Sequence, residues 1–411
     1  MLDSYKRFDM KKRPNRQHLR PLLRLLSLPS LWSHREKLTK TNMEGVEPPY
    51  LFLSNHNSFM DFLVGYKAVA PHKVNFVASI DGFAVFGEKI MRFIGCICKR
   101  KFTNDTLLLR KMTRVIKNGD IIGIYPEARY SLCGTTAVLP ESLGKLVKLF
   151  NVPVVTLMCH GHHINQPFWN QKSRHVKGLT AEMNCLLKKE EVEKLSVDEI
   201  NQKIKDSFWY DDFKWQKDNN IKVKYKKRAE GLEKVLYQCP HCLKEYHMSS
   251  NLDILKCDNC GKQWQMTELG ELKALDGETE FSHIPDWYEW ERLNVRKEVW
   301  ENRYSFSSKA IVDAIPNNKF IPIGEAYFEH NMNGFFLKGN FEGEDYSIVI
   351  PAKTTYSVHI EYNFKLRKRD CIDLNTLTDT CYVYPDGNEF SVTKMALATE
   401  ELFQYYKQNQ K

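Results

Sequence analysis

The residues best placed to do chemistry lie in the run Asn55-His56-Asn57-Ser58-Phe59-Met60-Asp61. Residues five apart are about 140° apart on a helix of 3.6 residues per turn, so His56 and Asp61 cannot share a helix face. They meet if His56 sits in a turn and Asp61, in the first turn of the helix that follows, reaches back. A carboxylate then holds one imidazole nitrogen and leaves the other free to take a proton. The natural proton source is an alcohol, which attacks an acyl carbon such as a thioester poorly until a base removes its proton. The arrangement is half of a hydrolase triad without its serine. No G-x-S-x-G occurs, so direct attack by a bound substrate hydroxyl fits better than an acyl-enzyme.

Two further constellations stand out. Lys99, Arg100 and Lys101 end one apolar run and Arg129 follows another, a basic set suited to a phosphate or, for the lysines and Arg100, to a solvated strand end. Cys239-x2-Cys242 and Cys257-x2-Cys260, fourteen residues apart, can bring four thiolates into a tetrahedron around one zinc ion. All four ligands are cysteine, so no position is open for water and the expected zinc is structural. Residues 231–275 hold five lysines against six acidic residues, a poor balance for a nucleic-acid binder. His160, His162 and His163 follow Cys159 and read as a strand end at the mouth of the site or as a metal cluster.

The elements that must carry these groups follow from periodicity. Runs 50–55, 73–79, 96–101, 120–125 and 152–160 are strand-like, the last two β-branched as in strands buried on both faces. Between them Leu108, Met112, Val115 and Ile116 fall at helical spacing, with Gly119 placed to end that helix. Strands alternating with helices predict an α/β layer with a mainly parallel sheet, and His56 at the carboxyl end of the first strand is where such sheets bind ligands. Residues 180–230 read as charged helices, with a Ser196/Glu199 capping box. From about residue 281 five strand-like runs and a closing helix after Ser391 predict a β-rich domain resembling a pleckstrin-homology barrel. The expected organisation is an arm at 1–45, an α/β domain at 46–230, a zinc ribbon at 231–275 and the β-rich domain at 281–411.

Charge is concentrated at one end. The chain of 411 residues carries a net +9, and residues 1–40 hold eleven Lys/Arg against three Asp/Glu. Within this stretch Leu22, Leu25 and Leu26 share a helix face with Arg20 and Arg24 beside them and Trp32 beyond. This composition suits a short interfacial helix on an anionic bilayer, or a leucine-rich helix docked on the core. No apolar run is long enough to span a membrane and the start lacks a signal-peptide core, which predicts a cytoplasmic protein peripheral on the inner membrane face.

The H-x4-D motif and three later blocks resemble the glycerophospholipid acyltransferase family, most closely the 1-acylglycerol-3-phosphate acyltransferases. Gly95-Cys96-Ile97-Cys98-Lys99-Arg100 is similar to the second block, with Lys99 where the family has Asp. Tyr125-Pro126-Glu127-Ala128-Arg129-Tyr130-Ser131 resembles the third, with Ala128 and Arg129 replacing Gly and Thr and Tyr130 standing where the family has Arg. Val152-Pro153-Val154-Val155 resembles the fourth. The likeness spans roughly residues 15–215. It implies that His56 and Asp61 are the catalytic pair and that Lys99, Arg100, Glu127 and Arg129 serve the acceptor. It further implies an acyl group carried from acyl-coenzyme A or acyl-carrier protein to the hydroxyl of lysophosphatidate. Another lysolipid or a glycolipid as acceptor, and a non-catalytic lipid-binding adaptor, are the alternatives. No cofactor beyond zinc is implied.

Overall fold

The computed structural model describes residues 8–10, 20–317 and 319–409, so residues 1–7 and 11–19 of the basic arm lie outside the described residues. The chain divides into two compact units, one built from residues 9–99 and 105–223 and the other from 100–104 and 224–411 with Phe8.

The first unit is an α/β layer. Its strands are β1 (Lys37–Thr41), β2 (Leu51–Ser54), β3 (Val74–Ser79), β4 (Ile97–Lys99), β5 (Ile121–Ile124), β6 (Val154–His160) and β7 (Thr180–Leu187). They form one sheet in the order β1-β7-β6-β2-β5-β3-β4, parallel except at the β6–β7 pair. The predicted parallel sheet is therefore present. Its helices are α1 (Arg20–Ser33), α2 (Met60–Ala68), α3 (Ile80–Phe86), α4 (Glu88–Phe93), α5 (Thr106–Lys117), α6 (Ser142–Phe150), α7 (His162–Asn165), α8 (Lys189–Lys194), α9 (Val197–Ser207) and α10 (Asp212–Asp218).

One sheet face is covered by α5, which buries the expected Leu108, Met112, Val115 and Ile116, together with Leu143 and Val147 of α6 and Ile200 and Ile204 of α9. Leu51, Leu53, Ile122 and Val154 meet them from the strands. Ser196 caps α9 with Glu199 reaching back, as its capping box predicts. Behind the sheet the Phe76 ring crosses β5 so closely that a Cβ on Gly123 would lie 2.5 Å from it, which restricts that position to glycine.

Thr180–Leu187 departs from expectation, being a strand rather than part of a helical stretch. Ala181, Met183, Cys185 and Leu187 alternate inward, a period-2 signal masked by the charged helices that follow. The α1 helix runs through Pro29 and has two faces: Ser27 and Leu31 are buried, whereas Leu22, Leu25, Leu26 and Trp32 are exposed.

The second unit begins with a four-stranded antiparallel sheet, β8 (Met248–Asn251), β9 (Ile254–Cys257), β10 (Gln263–Met266) and β11 (Leu272–Ala274). A helix the sequence reading did not anticipate, α11 (Ile284–Trp300), follows; the Trp287 ring meets Trp264 edge-on at 5.0 Å and its Nε1 donates to the Gln238 carbonyl. The β-rich part is β12 (Ser305–Ile315), β13 (Ile321–Asn331), β14 (Gly334–Phe341), β15 (Glu344–Pro351), β16 (His359–Phe364), β17 (Arg369–Asn375) and β18 (Thr380–Pro385). All pairs are antiparallel, in the order β15-β14-β13-β12-β18-β17-β16, and the chain closes with α12 (Val392–Asn409). Arg292 and Arg296 of α11 bind Glu400 and Glu401 of α12.

Candidate active site

His56 lies two residues past the end of β2, in the turn that leads into α2. Asn55 anchors the turn by exchanging two 2.9 Å hydrogen bonds with the backbone of Cys159 on β6. The His56 backbone is clamped on both sides: its N–H donates to Glu127 Oε1 at 3.0 Å, and its carbonyl accepts from the Ser131 N–H at 2.9 Å. The ring lies between Tyr125, 4.1 Å away and nearly parallel, and Tyr130, at 4.3 Å.

Asp61, in the first turn of α2, reaches back as the spacing requires. Its Oδ2 accepts from the Asn57 and Ser58 backbone N–H groups at 2.5 and 2.9 Å and lies 3.4 Å from His56 Nδ1. That last distance is long for a hydrogen bond, as is common at a catalytic pair before substrate binds. His56 Nε2 is the nitrogen on the far side of the ring, and the side chain is 21% exposed whereas that of Asp61 is fully buried. Burial alone would raise the Asp61 pKa, but hydrogen bonds from His162 and His56 hold it down at about 2, so the carboxylate is ionised. The pair can orient and stabilise an imidazolium that has taken a substrate proton.

Two of the residues expected to serve the acceptor make other contacts in the structure. Glu127 is wholly buried, and its second oxygen accepts the Ala137 N–H at 2.8 Å. Both oxygens thus face backbone donors, one of them in the turn that carries His56. Burial lifts its pKa to about 8 against those two hydrogen bonds and the charge of Arg129. Arg100 is buried in the second unit, where its guanidinium donates to the Ile315 carbonyl at 2.9 Å and Thr380 Oγ1 at 2.7 Å. These bonds tie that unit together.

Arg129 stays with the first unit, buried near Glu127, in a turn whose Ala128 has φ of +56°. That left-handed backbone is where the resembling family has glycine, and alanine is tolerated there at some strain. Lys99 ends β4 and is half-buried, and burial lowers its pKa although Asp105 works the other way.

The sequence did not connect His162 to Asp61. The fully buried ring places Nδ1 2.5 Å from Asp61 Oδ1 and Nε2 3.2 Å from Glu36 Oε2. The clustering of three histidines drew attention to it, but its partner Glu36, far away in sequence, gave no signal.

In the second unit, Cys239 and Cys260 have sulfurs 3.8 Å apart, and those of Cys242 and Cys257 are 3.7 Å apart. All four lie within 4.8 Å of one another. With zinc–sulfur bonds of about 2.3 Å a tetrahedron has edges of about 3.8 Å, so the donor set fits a zinc ion.

A mainly parallel α/β sheet that brings His56 and Asp61 together beyond a strand's carboxyl end is an arrangement that can activate a substrate hydroxyl. Residues 34–160 match the family model described as Acyltransferase, and the chain carries an acyltransferase domain and is an acyltransferase-like enzyme. Among solved structures it is similar to the 1-acyl-sn-glycerophosphate (LPA) acyltransferase PlsC from Thermotoga maritima. The two are 15% identical, the match covers 46% of this chain and 76% of that one, and the TM-score is 0.38. Comparison with curated proteins gives no match.

Proposed function

We propose that this enzyme transfers a fatty acyl group from a thioester, on coenzyme A or acyl-carrier protein, to the free hydroxyl of lysophosphatidate or a closely related lysolipid. The observation that carries the reading is the His56–Asp61 pair within a domain that matches the acyltransferase family. His56 Nε2 takes the hydroxyl proton as the oxygen attacks the thioester carbonyl carbon. The carbon–sulfur bond then breaks, and the imidazolium returns its proton to the leaving thiolate. The products are an ester and a free thiol, with His56 neutral again. Arg129 and Lys99 supply the positive charge for the acceptor's phosphate, and the zinc bound by Cys239, Cys242, Cys257 and Cys260 serves the fold of the second unit.

The reaction takes place at an anionic membrane surface in this reading. No helix among the described residues is long and apolar enough to cross a membrane. The exposed face of α1 offers Leu22, Leu25, Leu26 and Trp32, the composition of an interfacial helix. Phe59, three residues past His56, is half exposed, with its ring 5.8 Å from the half-exposed Phe86 ring. Apolar surface beside the catalytic turn suits acyl chains arriving from a bilayer. The test is transfer of radiolabelled acyl groups by purified protein to lysophosphatidate and a panel of other lysolipids and glycolipids. Turnover that His56→Ala abolishes supports the reading. Lysolipid binding without turnover would instead indicate an adaptor.

A further inference from the structure

The groups behind Asp61 take no part in the steps above, yet they form a fully buried ionisable cluster next to the site. His162 faces a carboxylate with each ring nitrogen, Asp61 through Nδ1 and Glu36 through Nε2, and all three side chains are fully buried. A neutral imidazole has one N–H and one lone pair, so it can donate to only one of two carboxylates; donating to both requires the imidazolium.

Its backbone is held as firmly as its ring. Gly161, with φ of +80°, turns β6 into α7, and a Cβ there would lie 2.5 Å from the Trp215 ring. Asp212 accepts the backbone N–H groups of Gly161 and His163 at 3.0 and 2.9 Å, pinning the chain on both sides of His162. Three histidines share this corner, but burial pushes His163 down to about 3 and it faces Trp169 and Phe213 instead of the dyad.

We propose that His162, braced by Glu36, is a positioning residue that sets the Asp61 carboxylate for catalysis. The inference rests on His56 and Asp61 being the catalytic pair. One oxygen, Oδ2, serves His56 and the two backbone N–H groups, and the other, Oδ1, is taken by His162. The carboxylate's rotation is thereby set from both ends. The cation also draws on the charge of Asp61 and so limits how strongly that charge raises the basicity of His56. The charged and titratable groups facing His162 are Asp61 on α2, Glu36 ahead of β1, His160 and Cys159 on β6, and Asp212 on α10. Burial opposes the charged ring, but Glu36 and Asp61 together raise its pKa to about 10.

The chain from His56 through Asp61 and His162 ends at Glu36, three residues past the end of α1. It therefore crosses the unit from the catalytic turn to the segment that follows the exposed apolar helix.

Two variants and one spectrum test this. His162→Leu removes both donors and the charge, and is expected to lower kcat by about 10–100-fold with KM within about threefold. His162→Asn keeps a donor near the position of Nδ1 but no charge. It is expected to recover most of kcat while the acid limb of the kcat/KM profile moves to higher pH, because losing a nearby cation raises the basicity of His56. A merely structural role would not separate these two effects. In the parent, histidine-ring NMR should show His162 keeping both N–H groups through pH 8, with Glu36→Gln lowering its titration midpoint. A folded His162→Leu enzyme with parental kcat and pH profile, or a His162 ring neutral at pH 7, overturns the proposal. A parent inactive on every acceptor overturns the catalytic reading instead, while the spectrum still reports on the network.

Discussion

Asp61→Asn perturbs the dyad with little change of shape. The amide oxygen can keep the Asn57 and Ser58 N–H groups that Oδ2 now accepts, so the turn should persist. What is lost is the negative charge 3.4 Å from His56 Nδ1 at the moment His56 becomes an imidazolium, together with the acceptor that faces His162 Nδ1, whose ring can turn neutral and accept from the new amide. At an effective dielectric of about 20, unit charges at that distance interact by about 5 kcal/mol. His56 is 21% exposed, and solvent screening brings the expected loss to about 3–4 kcal/mol, on the order of 10²–10³-fold in kcat. KM should stay within about threefold, because the interaction strengthens only as charge develops. The assay follows thiol release from an acyl-coenzyme A at saturating lysophosphatidate, with near-ultraviolet circular dichroism to verify folding. The His56→Ala/Asp61→Asn double variant should be no slower than His56→Ala, since Asp61 acts through His56. An Asp61→Asn enzyme within tenfold of the parent, or a double variant whose losses add, would refute the reasoning.

Other expected outcomes concern the scaffold. Glu127→Gln is close in shape and charge to the protonated acid, and should change stability in urea unfolding by less than about 1 kcal/mol below pH 6. The Glu127 pKa rises on folding to about 8, so its contribution to stability is complete below the unfolded value near 4.5 and is lost as pH rises through about 8. The glutamine variant should flatten that part of the pH–stability curve. Purified protein should contain about one zinc per chain by metal analysis, and Cys242→Ser should lower both zinc content and the melting temperature. Replacing Leu25 and Leu26 of α1 by aspartate should weaken sedimentation with phosphatidylglycerol vesicles at least tenfold while leaving the fold intact, since both side chains are exposed. Unchanged vesicle binding would remove the membrane role of α1.

Local chemistry carried much of this protein's organisation into its sequence. The α5 helix was legible from Leu108, Met112, Val115 and Ile116 because an amphipathic face repeats within one element, and α9 from a capping box that closes over four residues. The cysteine knuckles were legible because each metal-ligand pair is a tight turn. Elements whose pattern is weak or interrupted were not: β1 is a short, mostly exposed edge strand, and α11 mixes tryptophans with charges.

Long-range partners set the limit for the site. The His56–Asp61 geometry could be read because both residues belong to one β-to-α turn, whose stereochemistry depends on spacing. Resemblance implied that Glu127 and Arg100 serve the acceptor, and the hydrogen bonds they make could not be read from it: Glu127 to the backbone of the turn that carries His56, Arg100 to β12 and β18. His162 and Glu36 lie 126 residues apart. The sequence by itself determined which residues could supply a base, a carboxylate, cations and metal ligands. Only the tertiary structure decided which buried charges face one another, because an ion pair in the interior is selected by distance and lost hydration, and neither is encoded in any local run of residues.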